Sequence, residues 1–167
     1  FQQLTRVCAE ATALELRTRF TALAELTPDR LAFYTLDFVS DRVCAFYFTT
    51  LAQLYLAGAP PADSRRRDLP AALRCFAIAR QLGDDASDWI ADLQAGQLNY
   101  VSARLISRLY ETGRAGAGLD VERLAGYQLA DEIFWAGIEQ TAQGLSQQAL
   151  DHLAPYGNCR LAALIQR

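Results

Sequence analysis

The residues best suited to chemistry are Gln81, Asp84, Asp85, Asp88 and Asp92, in the run Gln81-Leu-Gly-Asp84-Asp85-Ala-Ser-Asp88-Trp-Ile-Ala-Asp92. This run lies inside a long apolar-periodic segment that follows Pro70, and that periodicity predicts a helix. At helical spacing these side chains share one narrow sector, and Ala72, Phe76, Ala79, Gly83, Ala86 and Ile90 share the opposite one. Carboxylates three or four residues apart repel by a few tenths of a kcal/mol per pair, and the macrodipole disfavours anions toward the helix C-terminus. A hard divalent cation reverses that sign, because Mg²⁺ is held by carboxylate oxygens and keeps waters that a substrate phosphate can replace. The alternative is a solvated acidic face on an ordinary amphipathic helix. The spacing alone leaves both readings open.

Gln81-x-x-Asp84-Asp85-x-x-Asp88 resembles the second aspartate-rich motif of the trans-isoprenyl diphosphate synthases, FQxxDDxxD, with Arg80 in place of the phenylalanine. In that family a Lys-Thr pair that touches the allylic diphosphate precedes the glutamine by about as many residues as Arg42 does here, 39. After the motif the family has Gly-Lys-x-Thr-Tyr-Pro or a close variant. This chain has Gly96-Gln97-Leu98-Asn99-Tyr100-Val101, keeping the glycine and tyrosine and losing the lysine. The closing Leu161-Ala-Ala-Leu-Ile-Gln-Arg167 resembles the family's last helix, so the likeness spans roughly residues 30–167.

The resemblance implies a magnesium-dependent prenyltransferase or terpene cyclase that ionises an allylic prenyl diphosphate to a carbocation. On that reading Asp84, Asp85 and Asp88 hold Mg²⁺, Gln81 orients a carboxylate or the diphosphate, and Arg42 clamps the diphosphate. Gln97 offers a neutral hydrogen bond where the family has lysine, and Phe46 and Tyr47 line the prenyl pocket. The family's first aspartate-rich motif lies farther upstream than the 80 residues that precede Gln81, and no DDxxD occurs among them. The resemblance therefore implies that residues 1–167 form one all-helical domain, the C-terminal portion of a larger synthase domain. That portion would act in a homodimer or paired with the missing N-terminal half. Two other readings stay open: a non-catalytic regulatory subunit of a heteromeric synthase, and an unrelated helical interaction or ligand-binding domain.

Composition narrows the classes. The chain has 167 residues, enough for one domain with a sizeable core. Its net charge of −3 and its lack of a basic face predict no nucleic-acid partner. Every one of its 16 basic residues is arginine, so no Schiff-base, pyridoxal or P-loop lysine chemistry is available. Cys8, Cys44, Cys75 and Cys159 are widely spaced with no CxxC pair, which predicts reduced core thiols and a cytoplasmic protein. His152 is expected to be a surface or capping residue. The uncharged residues 43–62 raise a membrane span, but Thr49, Thr50 and Gln53 interrupt them and Pro60-Pro61 ends them. A buried central helix and no stable membrane insertion are expected instead.

Taken in order, the chain predicts an all-α bundle of about six helices, resembling the C-terminal part of the class I isoprenoid synthase fold. The first helix covers 1–25. Thr27-Pro28 starts a second that runs to about Ala57 and carries Asp37 and Asp41 beside Arg42. A loop at 58–70 holds Arg65-Arg66-Arg67, a solvated run by default. The motif helix runs from about Leu69 to Ala95 and stops at Gly96. A helix at 98–111 is followed by a glycine-rich connection at 113–118. A long helix capped by Asp120 reaches about Leu153, and a short terminal helix follows the break at 155–158.

Overall fold

The structure is a computed structural model that describes residues 2–115, 120–129, 131–157 and 159–166. The elements that it contains are α1 (Gln2–Arg17), α2 (Pro28–Leu31), α3 (Leu36–Arg42), α4 (Ala45–Leu56), α5 (Arg65–Gln94), α6 (Tyr100–Glu111), α7 (Val121–Leu129), α8 (Glu132–Leu153) and α9 (Arg160–Ile165), with two short 3₁₀ turns at 23–25 and 154–156. No strand occurs among the described residues, so the chain is all-α, with more and shorter helices than the periodicity predicted. Residues 116–118 of the expected glycine-rich connection, and Asn158 of the expected break, lie outside the described residues.

The extra helices come from three breaks, two in one expected helix and one in another. The expected helix at 28–57 divides into α2, α3 and α4. Thr35 takes an extended backbone and its hydroxyl accepts a hydrogen bond from the Phe38 N–H at 3.2 Å, which starts α3 afresh. The turn folds Phe33, Tyr34 and Phe38 into a mutually packed aromatic trio, with ring centroids 4.3–5.3 Å apart. The expected helix at 120–153 divides at Asp131, which caps α8 by accepting from the Phe134 N–H at 3.0 Å and pairs with Arg108 at 2.8 Å. Asp120 caps α7 as expected, accepting from the Arg123 N–H at 2.7 Å.

The motif helix, conversely, begins early. α5 starts at Arg65, inside the expected loop, and carries Pro70 in its second turn. A proline so near the N-terminus forfeits only one intrahelical bond. The arginine run is thereby part of the first helical turn. Arg65 pairs with Asp63 and Arg67 with Asp68, while Arg66 lies over the Tyr55 ring at 5.9 Å.

α5 has 30 residues, about 45 Å at the helical rise, and every buried cluster is threaded on it. Ala72 packs with Ala149 and Leu153 of α8. One stage further on, Ala77, Ile78, Ala79 and Leu82 pack with Val39 of α3, with Val43 just past its end and with Leu145 of α8. Last, Trp89 and Leu93 enter the largest cluster, with Phe20, Leu26, Tyr34, Phe38 and the apolar face of α6. The partners on α8 descend as those on α5 ascend, so the two helices run antiparallel.

This packing corrects two expectations. The buried stripe of α5 is Ile78, Leu82, Asp85, Trp89 and Leu93, whereas Gly83 and Ile90 of the expected apolar face are exposed. Burial follows apolar area: Leu82, Trp89 and Leu93 remove far more surface from water than the small residues opposite them. The second correction concerns α4, expected to be a buried central helix. It has no buried residue, and Phe46, Tyr55 and Leu56 are 65–83% exposed, because α4 lies on the outer side of α5 with few other neighbours. No helix among the described residues is long and apolar enough to cross a membrane.

α5 ends where the sequence predicts. Gly96 takes a φ of +70°, its N–H bonds to Leu93 O at 3.1 Å, and the Gln97 N–H reaches back to Asp92 O at 2.8 Å, a Schellman closure. The Phe20 N–H donates to Gly96 O at 3.0 Å, and a Cβ at this position would collide with the Phe20 carbonyl oxygen. Gly96→Ala is therefore expected to destabilise the fold by about 2 kcal/mol or more, from left-handed strain plus displacement of a backbone contact. Urea titration checks this: the midpoint should fall with an unchanged slope.

Candidate functional site

The five acidic-run residues do not act together. Among them Asp85 is buried, at 3% exposure. Gln81 Nε2 donates to its Oδ1 at 2.7 Å, and the Tyr100 backbone N–H donates to its Oδ2 at 2.9 Å. Tyr100 is the first residue of α6, so the carboxylate accepts one of the N–H groups that the helix itself leaves unpaired. Its negative charge also sits at the positive end of the α6 dipole. Asn99 completes the junction. Its Oδ1 accepts from the Ser102 N–H, its own N–H donates to the Ser102 hydroxyl, and its Nδ2 donates to both Asp85 O at 3.0 Å and Asp92 Oδ2 at 2.8 Å.

Around this junction lies a mixed cluster drawn from four helices. Arg42 Nη2 pairs with Glu15 Oε1 of α1 at 3.0 Å, and Arg42 Nη1 is buried without a hydrogen-bond partner. The Thr18 hydroxyl lies 3.2 Å from the Tyr34 hydroxyl. Burial pushes the Asp85 carboxyl above its ordinary value, against the hydrogen bonds from Gln81 and Tyr100 and the attraction of Arg42. It also pushes up Glu15, where Arg42 pulls down and Asp85 and Asp92 push further up. Arg42, expected as a diphosphate clamp, is thus engaged by Glu15, and its charge also favours the ionised form of Asp85. Gln97 lies in the turn between α5 and α6.

Asp84 and Asp88 point elsewhere. Both are exposed, stand one turn apart on α5, and have no ion pair among the described residues. Asp84 borders two adjoining cavities. The first, about 400 Å³, lies between α4, α5 and α9, with an apolar wall of Val43, Phe46, Leu73, Phe76, Leu161 and Leu164 and a polar rim of Arg80, Gln81 and Asp84. The second is a wide groove of about 1030 Å³ between α5, α8 and α9 that shares Phe76, Arg80, Asp84 and Leu164 with the first and carries Glu139, Gln143, Ser146 and Gln147 on its α8 wall. Phe46, Gln81 and Asp84 of the expected site therefore meet at one cavity. Tyr47 does not line it; its hydroxyl reaches Ser40 O at 3.5 Å.

Other candidates have structural partners. Asp37 pairs with Arg74, whose Nε also donates to the Ser40 hydroxyl at 2.6 Å, pinning α3 to α5. No disulfide joins the four cysteines, and burial raises the pKa of Cys44 to about 11. Sequence reasoning missed Asn99 as the organising residue, although Asn99-x-x-Ser102 just past Gly96 carries a capping-box pattern. No group of three or more His, Cys, Asp or Glu among the described residues is arranged to hold a metal ion.

Glu15 yields a signed prediction. A carboxyl with a raised folded pKa binds its proton more readily folded than unfolded, so ionising it destabilises the protein. Its contribution is largest in acid and declines as pH climbs from the ordinary 4.5 through the raised value. Glu15→Gln keeps an acceptor for Arg42 but no longer titrates. Wild-type stability relative to this variant should fall as pH rises from about 4 to about 7, read by urea midpoints. A relative gain over that range would show that the Arg42 pair outweighs the burial of Glu15. No family model matches the chain, and no match to it was found among curated proteins or among solved structures.

Proposed function

We propose that this chain works in magnesium-dependent isoprenoid chemistry as a prenyltransferase or terpene cyclase, binding an allylic prenyl diphosphate. The observation that carries this reading is the meeting of Phe46 of α4 with Gln81 and Asp84 of α5 at one mainly apolar cavity of about 400 Å³. That volume falls within the range of small-molecule sites, about 300–1,000 Å³. An apolar wall with a few polar groups at one end suits a hydrocarbon chain with a charged head.

Asp84 and Asp88 are the chain's available donors for Mg²⁺, because Asp85 is engaged by Gln81 and Tyr100. Two carboxylates one turn apart fit an ion that retains waters and takes its other oxygens from a substrate phosphate. When bound, the metal supplies Lewis-acid stabilisation of the departing diphosphate. Gln81 faces both the cavity and Asp85, so it would fix the rim relative to the α5–α6 junction. Phe46 and Phe76 supply apolar and π surface beside the reacting chain, which tolerates positive charge.

The competing reading is a helical ligand-binding domain whose acidic residues are structural. It is favoured by Asp85 accepting the first N–H of α6 and by Arg42 pairing with Glu15. Asp84→Asn separates the two readings. As a metal ligand, Asp84 should be needed for the joint rise in melting temperature given by Mg²⁺ and inorganic diphosphate. Its loss should also lower turnover of geranyl, farnesyl or geranylgeranyl diphosphate by the complete protein at least about tenfold, or about 1.4 kcal/mol in the barrier. Full activity in Asp84→Asn removes the catalytic reading.

A further inference from the structure

We propose that Arg80 is the anion-holding residue of the α5 groove. The ligand it takes is a single-chain amphiphile with an anionic head, whose chain fills the cavity between α4, α5 and α9. The two cavities along α5 are chemically unlike and adjoin at one place. The first is walled by Phe46, Leu73, Phe76 and Leu164. The second has Glu139, Gln143, Ser146 and Gln147 on its α8 wall and is the more open. Arg80 and Asp84 border both, so they mark the boundary where an amphiphile must pass from chain to head.

Arg80 is the only basic residue lining either cavity among the described residues, and it has no ion pair among them. Seven other arginines in the described chain are paired with carboxylates. An arginine at the end of an apolar cavity lays its methylenes along the wall and holds its guanidinium at the water boundary. There the planar fork offers paired donors to a carboxylate or a phosphate. Asp84, one turn on, opposes a second negative charge at the same rim. A monoanionic head can be held by Arg80 alone, whereas a diphosphate must bring a divalent cation that Asp84 can share.

Two sources of such a ligand are distinguished by that charge count: a fatty carboxylate and a prenyl diphosphate. Taking the diphosphate as the physiological ligand rests on the reading above; the role of Arg80 does not.

The experiment is calorimetric titration of the full chain with dodecanoate, below its micelle-forming concentration, and with farnesyl diphosphate, each in EDTA and in Mg²⁺. Dodecanoate should bind equally with and without Mg²⁺, and farnesyl diphosphate should bind far better with it. Arg80→Gln should weaken both by about tenfold or more, as expected for a charged hydrogen bond. Leu73→Trp, which fills the cavity, should weaken both chains while inorganic diphosphate with Mg²⁺ still raises the melting temperature. Asp84→Asn should spare or improve dodecanoate and remove the Mg²⁺ effect on farnesyl diphosphate. If both ligands bind the wild type but Arg80→Gln leaves both affinities unchanged, Arg80 is not the anion site, whatever the fate of the isoprenoid reading. If both bind through Arg80 and Mg²⁺ changes neither, the amphiphile site stands and the magnesium reading falls. If no amphiphile binds the folded wild type, the proposal is overturned.

Discussion

A buried carboxylate at the start of a helix governs how this bundle is assembled. Asp85 sits on α5 between Leu82 and Trp89, both buried, in a stripe that is otherwise apolar. Burying a charge there is unfavourable unless its oxygens are satisfied. They are satisfied by Gln81 from its own helix and by the Tyr100 N–H of α6. The arrangement locks the rotation of α5 about its axis and the docking of α6 in a single interaction. A break in it would leave an Asp85 oxygen and the Tyr100 N–H without partners, and the loss of one partner from such a set weighs more than the bond's net value. The Gly96 turn is the other half of this constraint, because it brings Asn99 and Tyr100 back against Asp85 and Asp92.

The acidic run is therefore divided by geometry. Asp85 and Asp92 face the α6 junction and are consumed by folding. Asp84 borders the groove, Asp88 is exposed one turn further along α5, and neither has an internal partner among the described residues. A helical wheel places all four in one sector, which is correct for direction. It cannot show that the sector straddles the edge between a buried stripe and an open cavity.

Much of the fold was legible in the chain. The helical class, the Gly96 stop, the Asp120 cap and the short helix after Pro155 follow from local rules about caps and left-handed glycine. The breaks at Thr35 and Asp131 were not legible, although both residues are good caps, because the apolar periodicity runs through them and only the tertiary packing of Phe38 and Phe134 decides that a new helix starts there. The face that α5 buries was misread for a related reason: periodicity counts positions, while burial weighs area, and Leu82 with Trp89 outweighs a row of alanine and glycine. Of the site, Phe46, Gln81 and Asp84 were named from sequence and do adjoin one cavity. Arg42 was named for its charge and spacing, but its partner Glu15 lies on α1, where nothing in a linear reading pointed.

The α5 groove has walls of very different stiffness. On one side α5 is held in azimuth by Asp85 and by three successive core clusters, so it cannot turn without dismantling all of them. On the other, α9 is a six-residue helix with no buried residue, entered through Gly157 at a φ of +66°. Elements with few buried apolar contacts open at low free energy. Any adjustment of the groove to the girth of its contents is thus concentrated in Leu161 and Leu164 of α9, while the rim formed by Arg80, Gln81 and Asp84 keeps its place. A molecule held in this cavity would meet a firmly packed wall at α5 and a lightly packed one at α9.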